Sequence, residues 1–260
     1  MLQKAMRKLL FPAFILLFCV LPLRYSFAFE KQGEDCLKCH TLGNSEAADL
    51  LKDIMPGIKI LEIKLSPSKS LWEVLFDSGG KKGLTYIDFS KKYLISGNII
   101  SIKERMNLTQ VRFAELNKVD VSKVPLDNAL LMGDRNAKHK IIVFTDPDCS
   151  YCAKLHNELK KVIQERKDIA FYIKMFPLKI HPEAYEKSKA IVCENSLAIL
   201  DDAFDSKPLP KAKCETSVVD ENIKLAKTLG ISSTPTLVLP DGKIFPGSKD
   251  AKAIINLVGN

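Results

Sequence analysis

The sequence predicts an α+β domain on the N-terminal side of the chain and an α/β domain on the C-terminal side. The first prediction rests on residues 45–104, where one short helical pattern precedes closely spaced segments rich in β-branched and aromatic residues. The second rests on residues 126–260, where apolar strand patterns alternate with amphipathic helical patterns. A chain of 260 residues that is 46% hydrophobic and 27% charged has ordinary globular composition and is long enough for two domains.

Residues 1–28 have the three parts of a secretory signal peptide. Basic residues in "MLQKAMRKLL" precede the apolar run "FPAFILLFCVLPL", and the small residues Ser26 and Ala28 follow at the positions that signal peptidase reads. An uncleaved membrane anchor is the alternative, but the run is short and contains Pro12 and Pro22. We therefore predict cleavage after Ala28 and export to the periplasm.

Charge and cysteine usage agree with an exported protein. Removal of the four basic residues of the leader lowers the formal net charge from +8 to +4, and no basic run is interleaved with aromatic residues. Nucleic acid is therefore not an expected partner. Six cysteines follow the leader, and in an oxidising compartment they indicate disulfides or bound cofactors. They are Cys36, Cys39, Cys149, Cys152, Cys193 and Cys214.

Residues 29–44 contain the motif "CLKCH", formed by Cys36, Cys39 and His40. C-x-x-C-H is the attachment pattern of a c-type haem, in which the cysteines form thioethers and the histidine binds the iron. Against haem, the segment is short for enclosing the group, and only Met55 is near in sequence as a second iron ligand. The alternatives are a second redox dithiol that passes electrons to the C-terminal cysteines, and a structural disulfide.

Residues 45–104 are predicted to form one helix and a small antiparallel sheet. "SEAADLLKDI" has helical apolar spacing, whereas "IKILEIKL", "LWEVLFDS", "GLTYIDF" and "KYLISG" have strand patterns. Gly79 and Gly80 mark a turn between two of these strands. Residues 105–125 contain the helical pattern "NLTQVRFAELNKV", which ends before Pro125. We interpret them as a linker helix between domains, with a surface helix of one domain as the alternative.

Residues 126–260 have the element order strand, helix, strand, helices, hairpin and helix. "KIIVFTD" and "IAFYIKMF" are compact apolar strands, and "CAKLHNELKKVIQER" between them is an amphipathic helix. A helical region from Pro182 to about Phe204 and the helix "VDENIKLAKTLG" come next, before the hairpin "TLVLPDGKIF" turns at Asp241-Gly242. This is the order of a thioredoxin fold with a helical insertion.

Cys149 and Cys152 form a second C-x-x-C motif where a predicted strand ends and a helix begins. Unpaired N–H groups and the positive end of the helix stabilise a thiolate at such a position, so we expect Cys149 to be the exposed attacking thiol. Cys152 lies one helical turn later, where it can close a disulfide with Cys149. His156 follows on the same helix, and we expect its side chain to be exposed.

Two alternatives to redox chemistry at this motif are a structural disulfide and half of a zinc site. In the zinc alternative, Cys193 and Cys214 would supply the two remaining ligands. Thr234 and Pro235 favour redox chemistry, because they precede a predicted strand where thioredoxin folds keep a cis-proline beside the active cysteines. A cis peptide bond there would leave the Thr234 backbone free to pair with an extended substrate.

Four segments carry a resemblance to the periplasmic DsbC/DsbG disulfide isomerases: "VFTDPDCSYCAKLH", "AIVCEN", "AKCETS" and "LGISSTPTLVLPDGKIFPG". "LWEVLFDSGGKKGLTYIDFSKKYLISGNI" resembles the N-terminal dimerisation domain of the same family. The resemblance implies a V-shaped homodimer whose thioredoxin-like domains face a cleft. It also implies the site residues, with the nucleophile at Cys149, the resolving thiol at Cys152, the cis-proline at Pro235 and a structural disulfide between Cys193 and Cys214.

The function implied by this resemblance is thiol:disulfide interchange that isomerises or reduces incorrect disulfides in exported proteins. The expected partners are those exported proteins, a membrane thiol reductase (DsbD-like) that restores the dithiol, and a second copy of the chain. This activity requires no cofactor, and the family does not require the haem suggested by Cys36, Cys39 and His40. The alternative function is a haem-bearing periplasmic electron-transfer protein whose thioredoxin-like part is a binding or chaperone module.

Overall fold

A short helix and an antiparallel sheet form the N-terminal domain of the computed structural model, which describes residues 40–259. The elements are α1 (Asn44–Leu51), β1 (Lys59–Leu65), β2 (Leu71–Ser78), β3 (Lys81–Asp88) and β4 (Leu94–Ile95). The strands pair in the order β1-β2-β3-β4. The predicted signal peptide lies outside the described residues, as do Cys36 and Cys39.

One face of this sheet packs against α1. Trp72 and Val74 of β2 and Ile87 of β3 are buried in a cluster with Ala47 and Leu51 of the helix. Because a strand alternates its side chains between two faces, Trp72 and Val74 lie on one face of β2, whereas Glu73 and Leu75, which are also buried, lie on the other. The predicted α+β character of this domain is confirmed.

A junction of short elements connects the two domains. It consists of the hairpin strands β5 (Ile100–Ser101) and β6 (Met106–Asn107), the helix α2 (Leu108–Leu116) and a 3-10 turn (Val121–Lys123). The helix is shorter than the predicted linker segment 105–125, because β6 precedes it and the chain leaves the helix after Leu116, before the 3-10 turn. Asn107 caps the helix by accepting a hydrogen bond from the backbone N–H of Gln110.

Helix α2 is bonded to both domains. Arg112 donates from Nε to the buried carboxylate of Glu73 on β2, at 3.2 Å. Gln110, on the same helix, donates from Nε2 to the carbonyl of Pro246 in the C-terminal domain, at 3.1 Å. The junction therefore makes specific polar contacts on both of its sides.

The C-terminal domain is built on a five-stranded sheet with the order β11-β10-β8-β9-β7. Its strands are β7 (Leu130–Met132), β8 (His139–Thr145), β9 (Ile169–Met175), β10 (Thr236–Val238) and β11 (Ile244–Pro246). Its helices are α3 (Ser150–Glu165), α4 (Ala184–Glu194), α5 (Leu197–Phe204), α6 (Val218–Thr228) and α7 (Ala251–Val258). The predicted thioredoxin-fold order is confirmed, with α4 and α5 as the helical insertion. Across residues 40–259, no helix is both long and apolar enough to cross a membrane.

The central strands of this sheet are buried on both faces. Val143 of β8 lies in one apolar cluster with Leu155 of α3, whereas Phe144 lies in a second cluster with Ala226 of α6. The parallel pairing of β8 with β9 places α3 as the crossover between them. Because α3 begins directly after β8, its N-terminal end lies at the carboxyl edge of the sheet.

We predict that Gly242→Ala destabilises the fold more than Gly230→Ala does. Both glycines have positive φ, +87° and +72°, but only at Gly242 would an added Cβ meet backbone, 2.1 Å from the carbonyl oxygen of Val119. The Val119 N–H also donates to the Gly242 carbonyl at 3.0 Å, which joins the junction to the hairpin turn. The extra loss should be about 1–3 kcal/mol in urea unfolding. Equal losses in the two variants would contradict this.

Candidate active site

Cys149 occupies the position immediately before the first residue of α3. Its backbone N–H donates to the carbonyl of Asp146 at 3.2 Å, so the chain turns tightly as it leaves β8. Its own carbonyl accepts from the N–H groups of Cys152 and Ala153, at 2.9 and 3.1 Å, which starts the helix. The sulfur therefore lies at the N-terminal end of a 16-residue helix, where negative charge is favoured.

The expected exposure of Cys149 is wrong, because only 8% of the residue is accessible to solvent. The thiol donates from Sγ to the carbonyl oxygen of Thr234 at 3.6 Å, and the loop that carries Thr234 covers it. The Thr234–Pro235 peptide bond is cis. The structure thus brings together Cys149, Thr234 and Pro235, which the sequence analysis expected to lie side by side.

Cys152 is a free thiol buried beneath Cys149, with 1% of the residue exposed. Its sulfur accepts a hydrogen bond from the backbone N–H of Asp146 at 3.4 Å. Burial raises the pKa of the Cys152 thiol to about 12, although this hydrogen bond favours the thiolate. Cys152 is therefore protonated at neutral pH in the dithiol form.

A buried carboxylate, which the sequence analysis missed, organises the loop in front of Cys149. Asp146 is completely inaccessible to solvent, and its Oδ1 accepts from the backbone N–H of Asp148 at 2.8 Å. Its Oδ2 accepts from the N–H of Leu178 at 2.7 Å and lies 2.8 Å from Nδ1 of His181. An aspartate three positions before the first cysteine, at the end of an apolar strand, was the available sequence signal.

Cys193 and Cys214 are joined by a disulfide whose Cα atoms are 5.6 Å apart. The bond connects the end of α4 to the segment that precedes α6. Both sulfurs are used in this bond, so they do not supply ligands to a zinc site with Cys149 and Cys152. Within residues 40–259, no cluster of three or more histidine, cysteine or acidic side chains is arranged to hold a metal ion.

The expected exposure of His156 is also wrong, because 4% of its side chain is accessible. Its Nε2 lies 2.7 Å from Oδ1 of Asp201 on α5, and Lys160 donates to the same oxygen at 2.6 Å. Burial lowers the pKa of His156, although the nearby Asp201 carboxylate opposes this. Burial alone would raise the pKa of Asp201, but the hydrogen bonds and charges of Lys160 and His156 hold it below its ordinary value.

The three residues of the C-x-x-C-H motif are not described together. His40 is the first residue that the structure describes and is partly buried, whereas Cys36 and Cys39 lie outside the described residues. The haem, dithiol and structural-disulfide interpretations of this motif therefore stay predictions.

Comparison with known proteins identifies two domains at these positions. A family model described as a thioredoxin-like domain matches residues 126–260, and one described as a disulfide bond isomerase protein N-terminal domain matches residues 41–110. The thiol:disulfide interchange protein DsbC of Salmonella typhimurium is 30% identical over 212 residues, which cover 77% of this chain and 82% of that protein.

Two further similarities cover less of the chain. A probable thiol:disulfide interchange protein DsbC of Bordetella avium is 29% identical over 158 residues, and the match spans 60% of this chain and 55% of that relative's length. A disulfide interchange protein from Neisseria gonorrhoeae, known from its crystal structure, has 29% sequence identity to this chain. The match covers 52% of this chain and 96% of that chain, with a TM-score of 0.45.

We predict that the buried imidazole of His156 makes stability depend on pH. Its pKa in the folded protein is below the ordinary value of 6.5, so the unfolded chain binds the proton more tightly. Its stabilising contribution is complete above pH 6.5 and is lost as the pH falls from there towards the folded pKa. Urea midpoints measured from about pH 7.5 to about pH 5 should therefore fall more steeply for the wild-type protein than for His156→Gln. Parallel pH profiles would show that this imidazole is not the cause.

Proposed function

The chain belongs to the DsbC family of thiol:disulfide interchange proteins, and from this premise we propose that it isomerises or reduces disulfides in exported proteins through Cys149 and Cys152. One observation carries the proposal. Two free thiols lie at the N-terminal end of α3, and the outer one contacts the carbonyl of Thr234 beside Pro235. Two thiols three positions apart in the chain can be oxidised to a disulfide and reduced again by thiol–disulfide exchange.

The first step is attack by the Cys149 thiolate on one sulfur of a client disulfide. A bond forms between that sulfur and Sγ of Cys149, the client disulfide breaks, and the second client sulfur leaves as a thiolate that takes a proton. The N-terminal end of α3 stabilises the attacking thiolate. The client is then held as a mixed disulfide. One disulfide has replaced another, so no net oxidation or reduction has taken place.

Two outcomes follow from the mixed disulfide. In isomerisation, another client thiolate attacks the client sulfur, forms the corrected disulfide and releases Cys149 as a thiolate. In reduction, Cys152 loses its proton and attacks Sγ of Cys149, so the client leaves with two additional electrons and the protein becomes a disulfide. A membrane thiol reductase (DsbD-like) must then return two electrons to the Cys149–Cys152 pair.

Burial of Cys152 favours isomerisation over reduction. Burial raises the pKa of Cys152, and this thiol must lose its proton before it can attack the mixed disulfide. A slow internal attack gives a client thiol more time to rearrange the bond. Reduction then serves as the route by which a client that fails to rearrange is released.

Thr234 and Pro235 are proposed to bind the client backbone. In the dithiol form the Thr234 carbonyl accepts the Cys149 S–H, at 3.6 Å. Once Cys149 is bonded to a client, that proton is gone and the carbonyl can accept a client N–H instead. The same contact would therefore hold the thiol before the reaction and the client during it.

The disulfide between Cys193 and Cys214 is proposed to be structural. Its sequence separation of 21 residues corresponds to about 3 kcal/mol of stabilisation when loop-closure entropy alone is counted. The loop that it closes contains α5, which packs on α3 through Leu200 and Ala203. The bond would thus hold the helical insertion against the helix that carries the dithiol.

A homodimer formed through the N-terminal domain is proposed, as is a periplasmic location. The N-terminal domain match and the exposed apolar side chains on α1, β1 and around β4 support dimerisation. These side chains are Leu50, Ile54, Leu61, Tyr93 and Ile95. Exposed apolar surface of this kind is typical of protein interfaces. The signal peptide predicted for residues 1–28 and the disulfide support export.

We predict that Cys149→Ala abolishes both insulin reduction and the refolding of a scrambled disulfide protein. Cys152→Ala should lose catalytic insulin reduction but accumulate mixed disulfides with clients, because attack by Cys149 does not need the second thiol. Tyr151→Phe changes one of the two residues between Cys149 and Cys152 and serves as the control with retained activity. Retained insulin reduction in Cys149→Ala would overturn the assignment of the nucleophile.

We predict that mass spectrometry of the exported protein shows a dimer and also reports the chemical state of Cys36 and Cys39 in the C-x-x-C-H motif. Under native conditions the protein should have the mass of two chains, each starting at Phe29. Under denaturing conditions a covalent haem adds its own mass and colour, whereas a disulfide between Cys36 and Cys39 removes two hydrogens and a dithiol changes nothing. The protein must be produced in a host that attaches c-type haems, because only there does the absence of haem carry information. A colourless protein from such a host contradicts the haem interpretation.

A further inference from the structure

A groove beside Cys149 has no role in the chemistry described above. It consists of two adjoining cavities of about 320 and 380 Å³ between α3 and the helical insertion, and we call it the insertion groove. The first cavity includes Cys149 in its wall, and the second extends along α3 to Lys160. Ala153, Phe204 and Lys207 line both cavities, so the two cavities share part of their walls.

We propose that the insertion groove is a client-binding subsite that holds an apolar side chain close to the attacked cysteine, with Phe204 as its main contact. The proposal rests on the proposed function, because it is the client bonded to Cys149 that occupies the groove. It assigns to the helical insertion a part in client selection, in addition to any structural part.

The groove as a whole presents more polar than apolar surface, and its apolar part lies beside Cys149. Pro147, Ala153, Ala203 and Phe204 contribute apolar surface beside Cys149. A leucine or similar side chain placed on this surface would be removed from water, which is favourable in proportion to the apolar area covered.

The charged groups of the groove are already paired with one another. Lys187 lies 2.6 Å from Asp148, and Lys207 lies 2.9 and 3.0 Å from Asp202 and Asp205. These ion pairs leave little unbalanced charge to select an acidic or a basic client residue. Selection by size and apolar character is therefore the expected behaviour.

The position of Phe204 in the groove is fixed by its contact with His156. The ring of Phe204 packs against the buried ring of His156, with 5.1 Å between ring centroids. The bond of His156 to Asp201 joins α3 to α5, the helix that ends at Phe204. A groove whose walls are fixed before binding loses little conformational freedom when a client enters it.

The occupant follows from the position of Cys149 at one end of the groove. In a client bonded to Sγ of Cys149, each residue further from the client cysteine adds at most about 3.5 Å to the reach of the client chain. Phe204 lines the same cavity as Cys149, so the residues next to the client cysteine are the ones proposed to contact it. Thr234 and Pro235 do not line this cavity, so within the described chain it is separate from the loop proposed to bind the client backbone.

The test uses small peptides that each contain one cysteine bonded to thionitrobenzoate. Every peptide is made of glycine and serine, except for a single leucine placed one or two positions before or after the cysteine; the reference peptide has none. In a Cys152→Ser background, Cys149 displaces thionitrobenzoate, and its absorbance gives the rate constant. We expect leucine at one or more positions to raise this constant about fivefold, as partial burial of a leucine side chain predicts.

Two groove variants then identify the contact. Phe204→Ala removes the wall and Ala153→Phe fills the groove, so each should bring the leucine-to-reference ratio close to one while the reference peptide reacts as before. Phe113→Ala removes an exposed aromatic ring on α2 and should keep the fivefold ratio. If Phe204→Ala does not fold, as judged by circular dichroism, Ala153→Phe decides alone.

Two results would overturn the subsite. One is a wild-type protein that shows no preference for leucine at any position, and the other is a preference that survives in every folded groove variant. Failure of the proposed function looks different, because no peptide, including the reference, would then release thionitrobenzoate.

Discussion

The contact between the Cys149 thiol and the Thr234 carbonyl is the interaction on which the site depends. It joins residues 85 positions apart, and it exists because β10, which begins directly after Pro235, pairs with β8, which ends shortly before Cys149. The pairing of these two strands places a loop over the N-terminal end of α3. Cys149 is consequently covered rather than exposed. A client disulfide must approach its sulfur past the loop that carries Thr234.

Two acid–imidazole pairs, each with one buried partner, hold the surroundings of this contact. Asp146 with His181 ties the loop before Cys149 to the segment after β9, and His156 with Asp201 ties α3 to the insertion. A buried carboxylate is strongly destabilising unless hydrogen-bond donors surround it, and Asp146 has three such partners. Through these contacts the two pairs connect the loop before Cys149 and the insertion to the rest of the domain.

The junction extends the same kind of connection towards the N-terminal domain. Helix α2 is bonded through Arg112 to β2 and through Gln110 to β11, and β11 is the strand that pairs with β10. The backbone N–H of Gly247, just beyond β11, donates to the Pro235 carbonyl at 2.8 Å. A short series of bonded elements thus connects the sheet proposed to dimerise with the loop over Cys149.

The sequence by itself determined the fold class, the strand and helix patterns and the position of the dithiol. These depend on neighbours in the chain: alternating or helical apolar spacing, a C-x-x-C at a strand end, and the Asp241-Gly242 turn. Only the tertiary structure decided that Cys149 is covered, that His156 is buried against Asp201 and that Asp146 meets His181. Each of these contacts joins groups 35 or more positions apart in the chain. Local patterns carry no information about such partners, because the path of the whole chain decides which distant groups share a buried volume.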